Sequence, residues 1–215
     1  MSADSHSLAG PAIAQAGAAA HAAGAPYAAH DSWDRDKVGM VCFLATEAAF
    51  FSTLFVAYLT YLGQSRTPPT PGEALHIPLA LANSACLLTS SVTIAVAAAM
   101  LARARLGAFL LAMSATIALG AGFLVITGFE WRNLIETYGL TIGRNLFGTT
   151  YFTLIGFHAA HVSLGLLVML GVAIGAAFGR IDRSHAPRVE LLSWYWHFVD
   201  TVWIVILIVV YLLGR

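Results

Sequence analysis

Five long apolar runs, at 38–62, 79–101, 107–127, 149–178 and 191–213, carry almost no charge, and no other feature restricts the fold so tightly. About 20 mostly apolar residues cross a hydrocarbon core ~30 Å thick, so each run is long enough to span a bilayer and the fourth to tilt in it. The runs are continuously apolar instead of alternating at every second residue, which selects helices over a barrel. The reading is an all-α polytopic membrane protein, a bundle of five transmembrane helices with its chain ends on opposite sides. Only 10% of the residues are charged, against roughly 25% in soluble domains. The 215 residues make one domain, because five spans leave no room for a second soluble one. Lys plus Arg balances Asp plus Glu at 11 each, so there is no basic footprint for nucleic acid. Cys42 and Cys86 both fall inside spans and read as free, packed thiols, neither a disulfide framework nor a metal site.

Arg35, Lys37, Arg103, Arg105, Arg180, Arg183 and Arg188 lie on the side of the N-terminus, and Arg66, Arg132, Arg144 and Arg215 on the other. Cytoplasmic loops are richer in Lys and Arg, so this count places the N-terminus in the cytoplasm and the C-terminus outside. The tail 1–36, rich in Ala and Gly, reads as a flexible cytoplasmic arm without the basic start and compact apolar stretch of a signal peptide. Its His6, His21 and His30 are too widely spaced for a strong metal signal, and Trp33 suits an interfacial anchor. Pro68, Pro69, Pro71 and Pro78 bar a regular helix over 66–78. In 128–148, Trp131, Leu134, Ile135 and Tyr138 recur at helical spacing beside Glu130, Arg132 and Glu136. That pattern fits either a short amphipathic helix on the outer surface or a polar loop with chance periodicity. Gly171, Gly175 and Gly179, and Ala118 with Gly122, recur at fourth positions and predict close helix packing within the chain or against a partner subunit.

Ionisable groups inside a span are costly and point to function. Glu47 stands at the centre of the first run, His158 and His161 on the fourth, His197 and Asp200 on the fifth. At about 1.5 Å of rise per residue, Glu47 and His158 each lie ~14 Å deep, entering from opposite sides. Glu47 is thus expected to meet His158 or His161 near the midplane. Such a set is open to several readings. It can fix helix register structurally, serve proton transfer, or, with His197 facing one of the paired histidines, ligate a haem. A di-iron carboxylate site is disfavoured by the lack of a Glu-x-x-His pair.

The run WYWHFVDTVW from Trp194 to Trp203 resembles the last-helix signature of cytochrome c oxidase subunit III, a subunit of the heme-copper oxidases. The segment from Thr149 to Val162, with both histidines in place, resembles the preceding helix of that family. Phe43 to Phe51 resembles the helix carrying the family's buried glutamate, here Glu47, and Asn83, Leu87, Leu88, Ser90 and Thr93 fit the helix between. The resemblance implies an accessory subunit of a proton-pumping oxidase that reduces oxygen to water in aerobic respiration. It implies no redox centre or metal in this chain, haem and copper in partner subunits, and contact with catalytic subunit I. Bound phospholipid and support of proton uptake are implied as well, in a bacterial-type inner (plasma) membrane. By the same resemblance Glu47, His158, His161, His197 and Asp200 are the buried proton-linked or structural residues. Arg180 resembles an arginine that meets a lipid phosphate, though it also serves as a positive flanking charge.

Two departures bear on this reading. Longer family members have seven helices and this chain lacks the first two, which removes one wall of the family's lipid cleft. Arg144-Asn145 stands where the family often has Asp-Gly. Cytochrome c is the expected electron donor; five-helix members also serve quinol oxidases, and relatives accompany nitric oxide reductases. The rival from another class is a haem-binding membrane cytochrome.

Overall fold

The computed structural model of the protein describes residues 25–64, 75 and 77–214, with side chains from residue 35 onward. The chain divides between Cys42 and Phe43 into two units. In the first, residues 25–42 form the start of helix α1, Ala25–Tyr61. The flexible tail expected over 1–36 is therefore helical from Ala25; the alanines there are strong helix formers. His6, His21, Arg66, Pro68, Pro69, Pro71 and Arg215 lie outside the described residues, as do the side chains of His30 and Trp33.

The second unit holds the rest of α1 and helices α2 (Ile77–Ala102), α3 (Leu106–Tyr138), α4 (Leu146–Ala177) and α5 (Ala186–Ile206). A π-helical segment, Leu207–Leu212, continues α5. Five helices are long and apolar enough to cross a membrane, and the all-α, five-helix reading holds. Pro26, Pro78 and Pro187 each sit second in their helix, where a missing N–H breaks no intrahelical bond. Pro78 thus begins α2 instead of ending the loop before it.

Two boundaries differ from expectation. The third run does not end near residue 127: α3 continues through 33 residues, ~50 Å, and stops at Gly139, whose φ of 60° caps it in the left-handed region. There is no separate surface helix over 128–148. The α3 residues Phe109, Met113, Thr116, Gly120, Phe123, Thr127, Glu130 and Leu134 alternate steps of three and four and form one buried stripe. The stripe runs past the end of the apolar run, and it carries Glu130 inward. Asn145 caps α4 by accepting from the Gly148 N–H at 2.7 Å.

Helix α2 packs along α3 and α5, α3 on α4, and α4 on α5. The core is centred on α5, where Trp196, Val199, Trp203 and Ile206 are buried. Two glycines make room for the Trp196 indole. A Cβ on Gly120 would stand 3.0 Å from that ring and one on Gly165 2.8 Å from it. The expected packing stripe plays no such part among the described residues. A Cβ on Gly171, Gly179 or Gly122 would meet nothing within 4 Å, and Gly175 faces only Ile181 of the following loop. The close approach is needed where a bulky side chain enters from another helix, which spacing on one helix does not reveal. Polar bonds tie the same helices together: Trp196 Nε1 donates to Ser90 and Trp203 Nε1 to Ser84, each at 2.9 Å, and Asn83 donates to Thr127 at 3.1 Å. Cys86 is partly buried and Cys42 is exposed, so the second is not packed as expected; both are free.

Candidate functional site

His158 and His161 are three residues apart on α4, a turn of about 300°, so their rings diverge by about 60°. That divergence gives them different neighbours. His161 faces α1, where its Nε2 lies 3.0 Å from Glu47 Oε2. Glu47 therefore meets His161 and not His158. The ring is held from the side by Phe51, 5.0 Å between centroids, and its backbone carbonyl accepts from the Tyr195 hydroxyl at 3.0 Å. His161 Nδ1 lies 2.7 Å from the Phe157 carbonyl. A carbonyl only accepts, so Nδ1 carries a proton.

A proton count for the pair follows from that geometry. With Nδ1 protonated, a neutral imidazole presents Nε2 as an acceptor, and the Glu47 carboxyl must hold the proton between them. The other arrangement is an imidazolium facing a carboxylate. Either way one proton lies between Glu47 and His161 and the pair is neutral as a whole, which is what a low-dielectric setting requires. About a fifth of each side chain is exposed, so the proton is not sealed inside the chain.

His158 turns into the bundle. It is fully buried, stacks on Trp203 with centroids 5.3 Å apart and meets the Phe123 ring edge-on at 5.8 Å. Among the described residues neither of its ring nitrogens has a hydrogen-bond partner.

His197 and Asp200 form a second cluster with serines of α5 and α2. Ser91 Oγ donates to Asp200 Oδ2 and lies 2.9 Å from His197 Nδ1; Ser193 Oγ lies 3.1 Å from His197 Nε2. Ser91 has one proton, given to Asp200, so its oxygen accepts from Nδ1–H, and Nε2 accepts from Ser193. The bonds thus run in one direction, Ser193 to His197 to Ser91 to Asp200. A hop of each proton along its own bond would reverse the chain and pass one proton from the Ser193 end to the Asp200 end. Asp200 is buried and its Oδ1 has no partner.

The site residues therefore fall into two hydrogen-bonded groups and one isolated ring, not one cluster. Arg180 is exposed just beyond α4. Among the described residues no three His, Cys, Asp or Glu side chains converge as a metal site. Both nitrogens of His161 and both of His197 are engaged within the protein, and His158 lies against Trp203.

One functional candidate was missed. Glu130, expected on a polar surface face, is 5% exposed and bonded to Tyr211. The signal lay in the three-and-four spacing of the third run, continued past Thr127. Ser91 and Ser193 were missed for another reason: serine is common in membrane helices and is marked here only by its neighbours in space.

Residues 29–215 match the family model described as Cytochrome c oxidase subunit III. Similar proteins include "Cytochrome c oxidase subunit 3" of Bacillus subtilis, 34% identical over 177 residues, which cover 82% of this chain and 86% of that one. "Probable quinol oxidase subunit 3" of Staphylococcus saprophyticus is 34% identical over 186 residues, 83% of this chain and 89% of its own. "Cytochrome bo(3) ubiquinol oxidase subunit 3" of Pseudomonas aeruginosa is 32% identical over 186 residues, 86% and 88% of the two chains. A family match over residues 29–215 and relatives matched over most of both chains accord with the five-helix architecture: the chain belongs to the cytochrome c oxidase subunit III family.

Proposed function

We propose that this chain is the accessory third subunit of a proton-pumping terminal oxidase that passes electrons from cytochrome c to oxygen, and that it supports proton uptake by the catalytic subunit. The haem and copper belong to partner subunits. The observation that carries this reading is the 3.0 Å contact between His161 Nε2 and Glu47 at membrane depth, in a pair left partly open at the bundle surface. A pair that only fixed helix register would have no need of that opening. The chain Ser193–His197–Ser91–Asp200 is a second group able to reverse its bonds. Seven basic residues against four support an N-terminus in the cytoplasm, which a protease-accessible N-terminal tag on sealed membranes would report. Arg180, exposed beside Arg183 at the same end, has the chemistry to hold a phospholipid phosphate.

In the intact oxidase, Glu47→Gln keeps shape and removes the exchangeable carboxyl proton. Proton uptake during turnover is expected to slow several-fold while haem content stays unchanged. His161→Asn is expected to slow it similarly, and the double variant to add nothing further, since both act on one proton. Wild-type uptake in all three would leave the pair a purely structural contact.

A further inference from the structure

At the end of the bundle where α3 stops, three helices bring hydroxyl and carboxyl groups together away from Glu47. Glu130 comes from α3, Tyr151 from α4 and Tyr211 from the π-helical segment after α5. The Tyr211 hydroxyl lies 3.1 and 3.0 Å from the two Glu130 oxygens and 3.3 Å from the Tyr151 hydroxyl. Both tyrosines are fully buried. The π-helical turn is what brings Tyr211 there. Its wider i→i+5 bonding, seen in Leu213 N–H to the Ile208 carbonyl at 2.9 Å, buries Val209, Val210 and Tyr211 in succession. The chain end is docked as tightly. A Cβ on Gly214 would stand 2.4 Å from the Val210 carbonyl and 2.7 Å from the Tyr58 hydroxyl.

Among the described residues no Lys, Arg or His forms an ion pair with Glu130. Arg132, on the same helix, is exposed and paired with Glu136 at 2.8 Å. The groups facing this corner from the packed helices are Tyr58 on α1, Tyr151 on α4, Tyr211 beyond α5, and on the α2 side Asn83, bonded to Thr127. An ionised carboxylate would have one O–H donor shared between two buried oxygens, and buried carboxyls so placed keep their proton. The neutral carboxyl donates to Tyr211, whose own O–H then turns to Tyr151. Each of the three groups then takes part in at least one hydrogen bond.

We propose that Glu130 is a proton-binding site of this subunit, distinct from the Glu47–His161 pair, and that its proton latches the π-helical segment to α3 and α4 through Tyr211 and Tyr151. Losing the proton leaves a buried charge beside the segment, whose bonds to α3 and α4 run through the Tyr211 hydroxyl. Glu130 lies 24 residues into α3, ~36 Å from its start, at the interface and not the midplane. The latch therefore answers to the pH of the aqueous phase on the C-terminal side.

Infrared spectroscopy of the intact oxidase tests the protonation. The difference between wild type and Glu130→Gln at neutral pH should contain a protonated-carboxyl C=O band. Tyr211→Phe, which keeps Glu130, should shift that band by removing its hydrogen-bond partner. A difference containing only carboxylate bands would overturn the proposal. Hydrogen exchange over residues 207–212 tests the latch. Exchange should quicken at least several-fold at the alkaline pH that removes the band, and Glu130→Gln should show no such step. If Glu130→Gln fails to assemble, the wild type and Tyr211→Phe decide. A wild-type segment whose exchange does not follow the band, or whose band is indifferent to Tyr211→Phe, would likewise overturn it.

Discussion

Asp200 is the residue whose surroundings leave least slack. One of its oxygens has no partner and the other has Ser91, which crosses from α2 to reach it. Interhelical hydrogen bonds in membranes average only about 0.6 kcal/mol, because the separated helices find other partners. Removing Ser91 does more than delete such a bond, since it strips the last donor from a buried carboxyl, a loss worth about 1–3 kcal/mol. Ser193→Ala, by contrast, removes a bond within one helix at a partly buried ring. Thermal unfolding in detergent should therefore show Ser91→Ala destabilised by about 1–3 kcal/mol and Ser193→Ala by much less. Equal losses would mean that the directional chain through His197 is not the organising feature of this cluster. A serine that matters through two neighbours on another helix cannot be picked out of the apolar runs. Glu47, His158, His161, His197 and Asp200 were legible because the bilayer makes any ionisable group conspicuous. Their partition into a pair, a chain and an isolated ring depends on rotation about each helix axis.

Elements are shaped by their ends as much as by their faces. The turn into α5 is set by Asp182, whose carboxyl accepts from the Ser184 N–H at 3.0 Å and from His185 Nδ1 at 2.8 Å, before the short 3-10 turn Arg183–His185. Bonds from the Ser184 hydroxyl, the His185 ring and the Ser184 N–H hold the Asp182 carboxyl below its ordinary value. A depressed folded-state value means that the ionised form favours the cap. The contribution is complete above the ordinary carboxylate range and disappears as the pH falls through the depressed value. Hydrogen exchange at 183–190 should thus be faster in Asp182→Ala than in wild type at neutral pH, with the two converging in acid. A difference that persists unchanged into acid would assign the cap to backbone geometry alone. The helix starts at Pro78 and Pro187 were not legible, since Pro78 read as part of a loop, and neither was the end of α3. The apolar count falls at residue 127, yet buried spacing carries the helix on to Tyr138, because a helix is continued by its packed stripe and not by its mean hydropathy.

For the whole molecule, the five apolar runs were legible because the bilayer imposes length and leaves helices as the only open-ended solution. What composition could not convey is how the polar groups are spent. Trp196 and Trp203 donate to serines of α2, His161 and His197 have both nitrogens engaged, and His158 lies stacked in the core. That allocation ties α5 to α2 and α4 to α1 through polar side chains. A haem-binding cytochrome would need two imidazoles facing each other across a gap, with free nitrogens. The consequence is measurable on the complex. When membranes are gently solubilised and this chain is pulled down, haem and a large catalytic subunit should come with it, and turnover with reduced cytochrome c should exceed turnover with a quinol. Stripping the chain from that complex should take away some phospholipid and leave all of the Soret absorbance with the catalytic remainder. A preference for quinol would move the complex to the other group of relatives without touching the role of Glu47. Soret absorbance that stayed with the isolated chain would overturn the accessory role and make His158, whose nitrogens are unpaired, the first ligand to test.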